Sequence, residues 1–232
     1  MPAPDRTYKS RWPALALLVC AGPAAAAECA DLAMLPFDGA EITRAGIVAA
    51  GGFEPPGRGF GGNAYAGLPA FCRVEAVARP TPASAIGIEI WLPADGWNGK
   101  LLGVGNGGWA GSISHSALAG GVADGYAAVS TDTGHTGGSP DFADQPEPLI
   151  DFAWRAIHEM TVLGKSVTAA FYERPHERAY FSGCSTGGRQ ALTTVQRFPG
   201  DYDGVIAGAP AYFPSHIQGM QVYTAAVANR SD

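Results

Sequence analysis

The stretch AYFSGCSTGGRQAL, residues 179–192, limits the fold more than any other part of the chain. The run RAYFSG reads as a buried strand, and residues 188–197 read as a helix stopped by Pro199. Between them there is room only for a sharp turn, and that turn carries a G-x-S-x-G pattern, Gly183-Cys184-Ser185-Thr186-Gly187. In a chain with 32 glycines the pattern alone says little. Its position at a strand-to-helix junction says more. Such a junction holds a serine in strained backbone above a sheet, at a helix N-terminus, where the helix dipole favours negative charge. Ser185 is therefore expected to be a nucleophile. The simpler alternative is an ordinary glycine-rich turn.

The preceding sequence supplies the sheet. AIGIEIWLP alternates as a half-buried strand does, and GKLLGVGN and GYAAVSTD are short apolar runs stopped by glycine or by Asp132. From 149 to 172 the apolar residues Ile150, Ala153, Ile157, Met160, Leu163, Val167 and Phe171 recur at helical spacing, before Arg174-Pro175 ends the helix. DGVIAGAP is a further strand. Strands alternating with helices predict an α/β fold, a mostly parallel sheet flanked by helices. Residues 28–84 are rich in Gly and Pro and read as an irregular N-terminal segment with short strands, FCRVEAVA among them; residues 85–232 read as the body of the catalytic domain.

The first residues resemble an export signal. Arg6, Lys9 and Arg11 precede the apolar run PALALLVCAGPAAAA, and Ala25 and Ala27 frame a small-residue cleavage site. Residues 1–27 are expected to be a cleaved signal peptide and the protein to be secreted or periplasmic, without membrane attachment afterwards. Cys20 leaves with the signal. Cys29, Cys72 and Cys184 remain, an odd number for an oxidising compartment. Cys29 and Cys72 could staple the N-terminal segment, which leaves Cys184 without a partner, and the simpler alternative there is a buried free thiol. The net charge of −6, with no basic cluster, excludes a nucleic-acid partner. The sequence is silent on oligomeric state.

A serine hydrolase also needs backbone N–H groups aimed at the tetrahedral oxygen. One is expected from Thr186. A second is expected from GVGNGGWAG, residues 103–111, where Gly107 and Gly108 allow close approach. A plain tight turn is the alternative there, and a phosphate loop is not, because the Gly-Lys-Ser/Thr ending is missing. His135, in STDTGHTGG after a strand, is a candidate for lining the cleft. His158 and Asp201 read as structural, and His216 as a poor base, since an α/β-hydrolase places its acid and histidine after later strands.

YFSGCSTGGRQAL followed by FPGDYDGVIAGAPA resembles the tannase/feruloyl esterase family of serine hydrolases, which also includes bacterial mono(hydroxyethyl) terephthalate hydrolases. WNGKLLGVGNGGWAG, YAAVSTDTGH and DFAWRAIHEMTVLGKSVTAAFY resemble it too, in the same order. The resemblance implies an α/β-hydrolase core with a lid domain inserted after the strand that follows the nucleophile helix. It implies Ser185 as nucleophile, Thr186 and Gly108 as oxyanion-hole donors with Gly107 in the same loop, and a Cys29–Cys72 disulfide. Cys184 would pair with a cysteine next to the catalytic histidine, a partner beyond this chain. The lid, its calcium site, the triad Asp and His and the last strands are likewise expected beyond residue 232, with no cofactor and no metal in the chain itself. The expected activity is hydrolysis of a small aromatic or phenolic ester, with the chain an N-terminal part inactive alone. The alternatives are a non-catalytic binding module and another serine hydrolase class, a peptidase or acyltransferase.

Overall fold

The computed structural model describes residues 28–56 and 65–229. The expected signal peptide, residues 1–27 with Cys20, lies outside them. The described residues build one seven-stranded sheet in the order β1-β2-β3-β5-β4-β6-β7. The strands are β1 Ala40–Val48, β2 Phe71–Ala78, β3 Ile86–Pro93, β4 Lys100–Val104, β5 Ala127–Thr131, β6 Arg178–Cys184 and β7 Gly204–Gly208. β1, β2, β3 and β5 pair antiparallel; β5, β4, β6 and β7 pair parallel. The parallel sheet expected from the sequence is thus the half that carries the serine, and the whole sheet is mixed.

Alternation along β3 explains how the sheet acquires two covered faces. Ile86, Ile88, Ile90 and Leu92 point into one core, under α3 (Ala156–Tyr172). Trp91 points the opposite way, with Phe53, Phe71 and Leu118, under α1 (His115–Ala123). α4 (Thr186–Arg197) packs on β6 and β7 and sends Ala191 into the first core. Glu89 shares the Trp91 face and is buried. Burial pushes its carboxyl up, but hydrogen bonds from His115, Arg73 and the Trp91 indole overcome this and hold it at about 2. Its bond to His115, at 3.1 Å, fixes the first residue of α1.

Two expectations change. The segment 28–84 holds the expected strand FCRVEAVA, which is β2, and also the nine-residue β1, and both extend the same sheet. β1 escaped notice because it is an edge strand with a register shift between Ile42 and Arg44, and only Ile42 is buried. The single helix expected over 149–172 is broken. A short α2, Pro146–Ile150, passes through a π-helical turn, Asp151–Arg155, into α3. A further helix without a clear sequence period, α5 (Pro214–Ala228), follows β7 and leaves Met220, Val222 and Tyr223 exposed.

Cys29 and Cys72 form a disulfide across 43 residues of chain, both sulfurs buried between β2 and the short 3-10 helix Cys29–Met34. Closing a loop of that length removes unfolded-state entropy worth about 4 kcal/mol. Replacing both cysteines by serine is expected to destabilise the protein by about 2–5 kcal/mol. A urea midpoint unchanged from the parent would contradict this.

Candidate active site

The segments that follow β4, β6 and β7 at their carboxyl ends meet around Ser185. The elbow is tight. A Cβ at Gly183 would lie 2.4 Å from the Gly187 carbonyl, and one at Gly105 would lie 2.6 Å from the Gly187 Cα. Only glycine lets β6, α4 and the loop after β4 cross this closely. Between Cys184 and Thr186 the chain must reverse within one residue, and Ser185 takes φ +59° and ψ −116°. Such a backbone costs roughly 1–3 kcal/mol and persists only where neighbours hold it. They do: Ser185 N–H donates to the Gly208 carbonyl at 3.0 Å, and its carbonyl accepts from Arg189 and Ala211 N–H, each at 3.0 Å.

The loop 105–111 is tied to the elbow by polar side chains and backbone that carry no motif in the sequence. Gly187 N–H donates to the Asn106 carbonyl at 2.8 Å. The Gln190 side chain accepts from Asn106 N–H and donates to the Asn106 side chain, at 3.0 and 3.1 Å. Asn106 in turn donates to the Thr131 carbonyl at 2.8 Å. Thr186 Oγ1 donates to the Gly108 carbonyl at 2.8 Å. Thr186 N–H, at the first position of α4, has no intrahelical acceptor.

Ser185, Thr186 and Gly108 share the wall of a cavity of about 420 Å³. The rest of the wall is mainly apolar and aromatic: Trp109, Phe152, Leu149, Ala153, Ala211 and Ile217. Arg189 also lines it. Its guanidinium donates to the Ala153 and Phe152 carbonyls at 2.8 and 3.1 Å and lies 4.9 Å from the Phe152 ring centroid. Burial lowers its pKa, and it makes no salt bridge among the described residues. The π-turn is what presents those two carbonyls sideways to Arg189. Asp151 of the same turn is fully buried and bound to Arg155 and Ser84.

The remaining candidates fall as follows. Gly107 stands in the loop next to Gly108, outside the cavity lining. His135, expected to line the cleft, lies one layer behind it. Its Nε2 is 2.8 Å from the Trp109 carbonyl, and its ring stacks on Phe142 at 3.8 Å. Cys184 is an exposed free thiol. His216 is exposed on α5, 3.4 Å from its neighbour Ser215. His158 pairs with Asp201 at 2.9 Å, tying α3 to the turn before β7. Among the described residues no histidine or carboxylate is hydrogen-bonded to Ser185. Nor do three or more His, Cys, Asp or Glu side chains gather as a metal site among the described residues.

Comparison with known proteins agrees with this geometry. The family described as tannase and feruloyl esterase matches residues 72–232. A probable feruloyl esterase B-2 of Aspergillus flavus is 47% identical over 141 residues, covering 60% of this chain and 27% of its own length. An uncharacterized esterase of Xanthomonas campestris pv. campestris is 41% identical over 190 residues, covering 81% of this chain and 32% of its own. Among solved structures, feruloyl esterase B from Aspergillus oryzae superposes with a TM-score of 0.72 and 36% identity, over 79% of this chain and 36% of that one. The chain thus spans about a third or less of the length of these curated relatives.

Asp132, at the end of β5, braces the loop behind the cavity. Its Oδ1 accepts from Gly134 and Gly87 N–H at 2.8 and 2.9 Å. Burial pushes its carboxyl up to about 6, against those two bonds and the charge of His135, and Asp151 nearby pushes the same way. A pKa raised by folding contributes stability that is complete below the ordinary carboxylate range and is lost as pH rises to 6. Asp132→Asn keeps an oxygen for both N–H groups and cannot ionise. Between pH 4 and pH 7 the variant should gain about 2 kcal/mol on the parent. Urea midpoints across that range test this; a difference independent of pH would place the titration elsewhere.

Proposed function

The chain belongs to the tannase and feruloyl esterase family, a family of carboxylic-ester hydrolases, and from that membership we propose that its protein is a secreted serine esterase acting on small aromatic or phenolic esters. The observation that carries this reading is Ser185 itself. It is a serine in strained backbone at a helix N-terminus, opening onto a cavity walled by Trp109 and Phe152. An apolar, aromatic-lined wall suits a flat aromatic acyl or alcohol group.

In this reading Ser185 Oγ attacks the ester carbonyl. The developing oxyanion is received by the N–H of Thr186 and that of Gly108, with Gly107 supplying the conformational freedom of the loop. The proton of Ser185 passes to a histidine, which returns it to the alcohol oxygen as the ester C–O bond breaks and the alcohol leaves; water then attacks the acyl-serine, releasing the acid and restoring the Ser185 hydroxyl. Because no described histidine reaches Ser185, we infer that the histidine and its orienting acid are supplied by residues other than these, and that residues 1–232 alone turn over little substrate. Cys184 is proposed to be held in a disulfide beside that histidine, which would couple the elbow to the base. The Cys29–Cys72 disulfide supports an extracellular or periplasmic location. No helix among the described residues is long and apolar enough to cross a membrane.

A fluorophosphonate probe applied to the intact protein should label Ser185, and Ser185→Ala should abolish labelling. The same variant should lower kcat on methyl ferulate or methyl gallate by about 10⁴–10⁶-fold. Equal labelling of parent and variant would show that the nucleophile lies elsewhere.

A further inference from the structure

The turn 107–110 has an unusual distribution of hydrogen bonds. Each of its first three carbonyls is taken: Gly107 O by Ala110 N–H at 3.0 Å, Gly108 O by Thr186 Oγ1 at 2.8 Å, and Trp109 O by His135 Nε2 at 2.8 Å. The N–H groups of Gly107, Gly108 and Trp109 have no acceptor among the described residues. A Cβ built at Gly107 or Gly108 would meet nothing within 4 Å, and Gly108 sits at φ +57°. At Gly107 and Gly108 neither close packing nor a side chain fixes the backbone, while the Trp109 ring packs against Phe152 and Phe142, with centroids 5.4 and 6.2 Å away. The orientation of the glycine backbone rests on the bonds to the carbonyls of the turn.

Of those three bonds, one is internal to the turn and one comes from the elbow. The third comes from outside both. A carbonyl oxygen can only accept, so His135 Nε2 carries a hydrogen and donates it to Trp109. The imidazole is itself held on every side. Nδ1 faces Thr133 Oγ1 at 3.1 Å, the ring stacks on Phe142, and Gly137 O accepts from Gly111 N–H at 2.7 Å alongside. Thr133 is at φ +62°, in a loop braced by Asp132. With one nitrogen on Trp109 and the other on Thr133, His135 is placed to orient backbone rather than to take a proton from Ser185.

We propose that His135 is a positioning residue of the reaction, which acts through the Trp109 carbonyl to keep the N–H groups of the 107–109 turn aimed at the cavity. The proposal rests on the esterase reading above. Its effect belongs in the transition state, where charge develops on the carbonyl oxygen, and little in ground-state binding. A turn displaced by about 1 Å can cost about 10²-fold in rate.

The test is steady-state kinetics of the intact protein on an aromatic methyl ester, with urea unfolding as the control for folding. His135→Ala should lower kcat by at least about tenfold with KM within about threefold. His135→Gln carries an amide N–H near the place of Nε2 and should recover most of the loss. His135→Asn carries it near the place of Nδ1 and should not. A folded His135→Ala with parental kcat overturns the proposal. So does equal activity of the Gln and Asn variants, which decides the matter even where His135→Ala fails to fold. If instead Ser185→Ala keeps its activity, it is the esterase assignment of Ser185 that fails.

Discussion

The close crossing of β6, α4 and the loop after β4 is the constraint on which the rest depends. Gly183, Gly187 and Gly105 approach to distances at which no Cβ fits, and Ser185 must absorb the reversal of the chain in one residue. The cost is strain at Ser185. What offsets it are bonds from two segments, the end of β7 and the loop after it, through Gly208 and Ala211, and the loop after β4, through Asn106 to Gly187. None of these is strong alone, each being worth about 0.5–1.5 kcal/mol net. Together they hold the strained backbone of the elbow in place.

A second layer shapes the space in front of the serine. Arg189 lies one helical turn along α4 from Ser185, and its guanidinium takes two carbonyls of the π-turn, those of Phe152 and Ala153. Phe152 and Ala153 are thereby set into the cavity wall, while Asp151 and Arg155, on the other side of the turn, anchor it to Ser84 and Glu147. The irregularity in the helix and the shape of the cavity are one feature. The buried Glu89 group does similar service on the other face of the sheet, where it fixes the start of α1 directly after the glycine-rich loop.

How much of this was legible in the sequence followed the range of the interactions. The elbow is local: strand, turn and helix are contiguous, so a short stretch announced Ser185. β3 was legible because Ile86, Ile88, Ile90 and Leu92 alternate with Gly87, Glu89 and Trp91, but that alternation reads as half-buried, and the burial of Glu89 and Trp91 on the second face was not legible. The Cys29–Cys72 pair was legible through family likeness. β1 was not, because an exposed edge with a bulge loses its period. The π-turn was hidden because its apolar residues continue a helical spacing. Asn106 with Gln190, 84 residues apart, gave no signal, nor did Arg189 or the pairing of His158 with Asp201. His135 was legible as a residue of the site region, but the direction of its ring was not, since that is decided by Phe142 and Trp109 from other parts of the chain.

The two margins of the sheet are held unequally. At one side β1 pairs along its whole length with β2, and a covalent bond pins the chain just before it. At the other, β7 has a single neighbour among the described residues, and Ile206 in its centre is 68% exposed. Ser185 N–H is bonded to Gly208, the last residue of β7. The backbone of Ser185 therefore takes its alignment from a strand that is paired on one side only among the described residues. The order of that margin and the position of the serine are thus linked through a single backbone hydrogen bond.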